Sequence, residues 1–356
     1  MDGLVLTFPT NVEMDAITQE YQPDPAAFIG QSILPPTPRN TQRVEWDELD
    51  NMTGKTSVHT MDTDPIVKGR PGSKLKSYEP IPHKESELVK ESEILKARSF
   101  GTLGGTISLD YLVMDTFRRA MNKDSIAIES ECWQSLLGEL SIDENGVKIS
   151  ETFPVQQYVP MTAWDDLANA TPLKDLNAIK LLFRGTGASA QGASFYLNQS
   201  TFNKMLENTN QADLRGFNVD NLRSAAFDLV QFNRLLSARG LPNFAIYDEG
   251  FIDDGGNFQT FLPDGKGVIV GRRPAGEKIG DYVMCPSLHR SVNGMPAPGR
   301  FAFVTVNGQP NTMGAQSVSM AQLGAVGNPR FEVVHGVYGG PRILYPRSVI
   351  VVSAFD

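Results

Sequence analysis

The sequence predicts a mixed α+β fold. Three observations carry that prediction. Apolar residues recur every three or four positions through 109–140 and again in stretches of 164–242, as amphipathic helices require. Runs rich in valine, isoleucine and phenylalanine ("GRFAFVTVNG", "RFEVVHGVYGG", "RSVIVVSAF") close the chain and suit strands. Asp-Gly pairs punctuate the region between them as turns, and no internal repeat announces a solenoid. The length of 356 residues suits two or three compact units.

Composition narrows the function classes. With 40% hydrophobic and 21% charged residues the chain is ordinary globular material. A formal charge of −9 argues against a dominant nucleic-acid or membrane-surface interaction, which needs a basic face, although a local basic patch remains compatible with it. The start, "MDGLVLTFPTNVEMD", lacks a basic n-region, and no run of 18 apolar residues exists. Synthesis in a cytoplasm, without secretion or membrane spanning, is the expectation. Cys132 and Cys285 then read as buried free thiols.

Residues 1–40 hold closely spaced prolines ("YQPDPAAFIG", "ILPPTPRN") that oppose helix and central strand, so they read as an arm. Residues 41–100 mix charges of both signs with scattered single apolar residues and write no compact core. So long a stretch reads as two extended limbs ordered on a neighbouring chain, or as a solvated charge run. Lys68, Arg70, Lys74 and Lys76 on the first limb face Glu85, Glu87, Glu91 and Glu93 on the return limb, which suits ion pairs across a subunit boundary.

Helical spacing follows: Leu109, Leu112, Val113, Phe117, Ala120 and Met121, then Ile128, Cys132, Trp133, Leu136, Leu137 and Leu140, as one long helix or two abutting ones. "DENG" at 143–146 turns the chain into the strand "GVKIS". From 164 to 242 three helical stretches surround the strand "ASFYLNQ", with Ser200 as a start and Gly240 as a stop.

The stretch "FAIYDEGFIDDGGNFQTFLPDGKGVIVG" concentrates Asp248, Glu249, Asp253 and Asp254. Converging carboxylates could bind a divalent cation or serve a hydrolase. Alternating apolar residues around Asp-Gly pairs favour hairpin turns instead, and the calcium-loop spacing is absent. "TGKT" at 53–56 lacks the earlier glycine of a P-loop. "RGTGASAQG" at 184–192 fails the serine-elbow pattern and reads as a link between a helix and a strand. His59, His83, His289 and His335 show no metal-ligand spacing. These residues call for no catalytic site, metal or cofactor.

The order of arm, charged excursion, helix, α/β body and closing strand resembles the major capsid proteins of tailed bacteriophages, specifically the lambda-type major capsid protein E family. "DPAAFIGQSILPP", "ESECWQSLLGEL", "LPNFAIYDEGFIDDGGNFQTFLPDGKGVIVG" and "GVYGGPRILYPRSVIVV" carry the likeness. It implies the Hong Kong 97-type capsid fold: N-terminal arm over 1–40, E-loop over 41–100, P-domain with spine helix over 101–160, A-domain over 161–330, and a strand over 331–356 returning to the P-domain. It further implies self-assembly into hexamers and pentamers of an icosahedral shell around phage double-stranded DNA, formed in the host bacterial cytoplasm. Portal, scaffolding and decoration proteins are the implied partners, with only non-specific proximity to DNA. An encapsulin-like or gene-transfer-agent shell protein is the alternative, and a metal-dependent hydrolase on the acidic hairpin is a further one.

Overall fold

The structure, a computed structural model, describes residues 5–7, 11–48, 74–90, 109–207, 229–253, 255–274, 277–292, 294–306, 309–310, 317–319 and 330–355. The chain divides into two compact units. The first comprises Met1–Val44, Tyr78–Glu129 and Tyr282–Gly340, and the second Glu45–Ser77, Ser130–Asp281 and Pro341–Asp356.

In the first unit the helical spacing of 109–140 becomes one helix, Leu109–Leu137. Val113, Phe117 and Met121 share a face and pack with Val89, Ala302, Val304, Phe331 and Val333 of a sheet, and with Met14. The sheet is organised around the strand Arg330–Ile343, which pairs antiparallel with Phe301–Val306 and with Ile81–Lys90. On a strand, alternate residues share a face. Phe331 and Val333 therefore bring His335 to the same side, towards Asp124 of the helix.

Two expectations for this unit's segments change. Residues 1–40 contain the helices Asn11–Glu20 and Ile29–Ile33 and the strand Pro36–Pro38. Their prolines fall before, between and after the helices, and Pro36–Pro38 ends the strand order of its sheet, running parallel to Tyr282–Met284. An edge strand tolerates missing N–H donors.

The return limb of 41–100 is likewise not an excursion throughout. Ile81–Lys90 is a sheet strand over its whole length, with Ile81 and Val89 buried. Among the described residues Val44–Glu48 and Lys74–Tyr78 pair only with each other, as a two-stranded ribbon. The single apolar residues that looked like the absence of a core are a period-two pattern: Val44 and Trp46 are buried between exposed neighbours.

The second unit is built on a five-stranded sheet in the order Asn243–Ile246, Ser189–Leu197, Lys266–Arg272, Val349–Ser353, Gln156–Tyr158. The helices Pro172–Leu182, Gln199–Glu207 and Leu229–Ala238 cover it and bury Leu176, Ile179, Phe202, Phe232 and Leu236 with Trp164, Phe195, Phe244 and Ile350. Each such side chain taken out of water contributes roughly 1.5–3 kcal/mol. The helix Gln199–Glu207 is capped by Asn198, two positions before the start read at Ser200: the Thr201 N–H donates to Asn198 Oδ1 at 2.9 Å. Gly240 stops Leu229–Ala238 as expected. Its φ is 66°, and the Gly240 and Leu241 amides donate to the carbonyls of Ser237 and Leu236, a Schellman ending.

Leu140 proves to lie in a strand, because Gly138 at φ 104° ends the long helix and Glu139–Glu144 forms a hairpin with Val147–Thr152. Asn145 and Gly146 make its turn with φ of 48° and 83°, the left-handed pair that matches strand twist. The closing residues split: Val349–Ser353 lies between Lys266–Arg272 and Gln156–Tyr158 of the second unit, while Arg330–Gly340 belongs to the first. The stretch 161–330 is also divided, at Asp281 and Tyr282, because Phe301–Val306 pairs with Arg330–Ile343.

Candidate functional surfaces

Of the eight charged residues expected to meet across a subunit boundary, Lys68, Arg70, Glu91 and Glu93 lie outside the described residues. Lys74 is exposed and Lys76 half-buried on the ribbon strand, beside Leu75, which is 70% exposed. Glu85 and Glu87 stand on one face of Ile81–Lys90, and within the chain they meet the long helix: Lys123 Nζ lies 2.5 Å from Glu87 and 3.6 Å from Glu85. The hydrogen bond that Lys123 donates to Glu87 raises the Lys123 pKa, against a smaller opposing effect of burial. The sequence set these acids against lysines of the other limb across a subunit boundary; within the chain, sheet pairing brings them to a helix lysine.

Beneath that pair lies a buried polar cluster. The Glu129 carboxylate accepts the Gly30 and Gln31 amides at 2.6 and 2.9 Å. These are donors of the first turn of Ile29–Ile33, where Phe28 offers no side-chain cap. Gln31 Nε2 donates to the Ser125 carbonyl, and Arg300 donates to Ser125 Oγ at 2.9 Å and to Gln31 Oε1 at 3.3 Å. His335 Nδ1 sits 2.9 Å from Asp124 Oδ1. Burial lowers the Arg300 pKa, opposed by Asp124, Tyr21 and Tyr282, yet a guanidinium stays charged. Gln31, Asp124, Ser125, Glu129, Arg300 and His335 are all buried, so the cluster holds segments together and admits no substrate. The sequence reading passed over it. Its one visible signal is Asp124, Ser125 and Glu129 on the stripe that carries Phe117, Met121 and Ile128.

The acidic stretch resolves into turns. Gly250–Ile252 pairs with Phe258–Thr260, and Asp253 closes the loop by accepting the Asn257 amide at 2.8 Å and Gln259 Nε2 at 2.9 Å. The bond from Gln259 leads the causes that lower the Asp253 pKa. Asp248 Oδ1 accepts the Gln199 amide at 2.7 Å, and Asp254 lies outside the described residues. Asp264-Gly265 closes no hairpin, since Lys266–Arg272 pairs with Ser189–Leu197 and Val349–Ser353. Gly265 has φ 74°, and a Cβ there would lie 2.2 Å from the Phe355 carbonyl. Among the described residues no three His, Cys, Asp or Glu side chains are grouped to hold a metal ion.

"TGKT" and His59 fall outside the described residues. The 184–192 link lines an open groove of about 1020 Å³. Cys132 and Cys285 are buried free thiols, and burial raises the Cys285 pKa. No helix among the described residues is long and apolar enough to cross a membrane.

The profile of the family described as phage major capsid protein E matches residues 12–305. No curated protein sequence matches the chain. Among solved structures, a protein assigned as the capsid protein of a prophage in Escherichia coli CFT073 is similar over 98% of this chain and 99% of its own, with a TM-score of 0.57 at 13% identity. A phage-related protein from Bordetella bronchiseptica RB50 is similar over 98% of both chains, with a TM-score of 0.54 at 11% identity. At such identities the likeness concerns the fold. The family profile runs through both compact units, from the N-terminal helix to the sheet strand Phe301–Val306. The chain belongs to the phage major capsid protein E family and is a shell-forming capsid protein of the Hong Kong 97-type fold.

Proposed function

We propose that the chain is the repeating subunit of an icosahedral phage shell, assembling as hexamers and pentamers around double-stranded DNA in the host cytoplasm, without catalysis or cofactor. The family match over 12–305 carries this reading. An acidic subunit supports it, because a net charge of −9 limits the counterion-release grip on packaged phosphates. In this reading Leu109–Leu137 is the spine helix of the P-domain, the five-stranded sheet belongs to the A-domain, and the ribbon Val44–Glu48 with Lys74–Tyr78 is the base of the E-loop. An isolated two-stranded ribbon is marginal in water. Trp46 stacks on Phe153 at 5.7 Å, while Leu75 points to solvent between two lysines.

Lys74 and Lys76, with Lys68, Arg70, Glu91 and Glu93, are the charges we assign to neighbouring subunits, and Glu85 and Glu87 share that role with Lys123. Portal, scaffolding and decoration proteins are the further partners this role calls for. Negative-stain microscopy and light scattering of the full chain test the proposal: closed shells or rings are expected, and a species monomeric at every concentration and salt counts against it. Nuclease-protected DNA in purified particles separates a phage shell from a protein-cargo compartment. Reversing Lys74 and Lys76 to Glu should weaken assembly most at low salt, where exposed charges are least screened; assembly indifferent to the reversal at every salt removes both from the interface.

A further inference from the structure

The open groove of the second unit is lined by Lys180, Arg184, Arg272 and Arg273 and, among the described residues, by no acidic one, in a chain of net charge −9. Two of these cations are committed. Arg273 is held by Glu277, Ser348 and the Thr186 carbonyl beneath Tyr345, and Lys180 donates to the Arg239 carbonyl. Lys180 and Arg184 stand where the helix Pro172–Leu182 ends, and balancing its dipole accounts for them. It does not account for Arg272, which closes a strand and is exposed. Leu181, 50% exposed, adds an apolar floor.

The opposite end of the same sheet carries the complement. In the antiparallel pair of Ser189–Leu197 and Lys266–Arg272, Arg272 opposes Ser189 and Gly267 opposes Leu197. The groove therefore lies at the Ser189 end. At the Leu197 end, the far end of both strands, the Tyr247 amide donates to the Leu197 carbonyl and the hairpin 250–260 follows. Among the described residues its strands pair only with each other, and their facing residues Ile252 and Phe258 are 71% and 59% exposed. Glu249 and Asp253 flank them, and residues 240–265 contain no Lys or Arg.

We propose that the hairpin 250–260 of one subunit docks in the groove of the next, with Ile252 and Phe258 on Leu181 and the acids against Arg184 and Arg272. The occupant is a second copy, because the chain itself supplies both the charge and the apolar complement. Plug and socket at opposite ends of one sheet make a head-to-tail contact, and such a contact closes into a ring when the rotation permits. The inference rests on the shell-subunit reading.

The test is a Leu181→Cys, Phe258→Cys double variant of the full chain, assembled and then oxidised. A disulfide requires Cα atoms within roughly 7 Å, and the native thiols are buried. A covalent ladder ending at the ring size is expected, with at most background from either single variant. Particles without a ladder overturn the docking and leave the shell reading standing. A wild-type chain that forms neither rings nor shells overturns both. Arg272→Glu and Glu249→Arg should each cut particle yield at low salt at least tenfold, and the combined swap should restore it. A swap no better than its parents overturns the charge pairing.

Discussion

The two units solve the problem of a core with different materials. The second packs Phe195, Phe202, Phe232 and Phe244 ring on ring, with centroids 4.9–5.7 Å apart around Phe244. The first also has an apolar layer, but beneath it places Glu129, Gln31, Ser125, Arg300, Asp124 and His335, each buried. Apolar burial has no direction and tolerates repacking. Hydrogen bonds among buried charged and polar groups tolerate little, because a lost partner leaves a desolvated group behind. Buried polar contacts also occur in the second unit, where Asp175 accepts from Tyr158 and Trp164 and Arg273 donates to Ser348; in the first they gather into one cluster that joins Ile29–Ile33, the long helix and the sheet.

Truncating the aromatic cluster should show the largest effect. Phe244→Ala is expected to cost about 3–5 kcal/mol in urea denaturation, by lost transfer energy and a cavity. Arg300→Met should cost about 3 kcal/mol, since it takes the donor from Ser125 Oγ and Gln31 Oε1 and removes the positive charge near buried Asp124. It should also raise amide exchange at Gly30 and Gln31, which Phe244→Ala should leave alone; equal exchange in both variants would erase the contrast between the units. Glu129→Gln keeps one acceptor of two and should cost about 1–2 kcal/mol, with the same local exchange signature.

Lys123→Met should cost under about 1 kcal/mol and lose its effect in salt, because its pairs with Glu85 and Glu87 are partly exposed. The smallest effect is one of pH. His289 packs on Phe301 and Phe303, and burial first, with Lys84 second, holds its pKa below 6.5. The unfolded chain then binds the extra proton, so stability is fully present above about pH 6.5 and declines as pH falls below it. His289→Phe should flatten that slope in denaturation curves between about pH 5 and 7; an unchanged slope would place the titration elsewhere.

The sequence by itself determined what neighbours along the chain can settle. The long helix follows from apolar spacing, the 144–147 hairpin turn from Asn-Gly, the stop at Gly240 from a glycine that takes a left-handed φ, and the acidic stretch from Asp253 bonding residues four and six positions on. Each of these interactions closes within a turn or two, so its chemistry is written locally.

Only the tertiary structure decided the rest. Glu129 caps Gly30 across 99 residues, Arg300 reaches Ser125 across 175, and His335 meets Asp124 across 211. The basic groove joins residues 180–192 to Ser237, Gly240 and Arg272. Nothing in the local pattern selects such partners, because a carboxylate or guanidinium is satisfied by any suitable group that strand pairing and helix packing bring within about 3 Å.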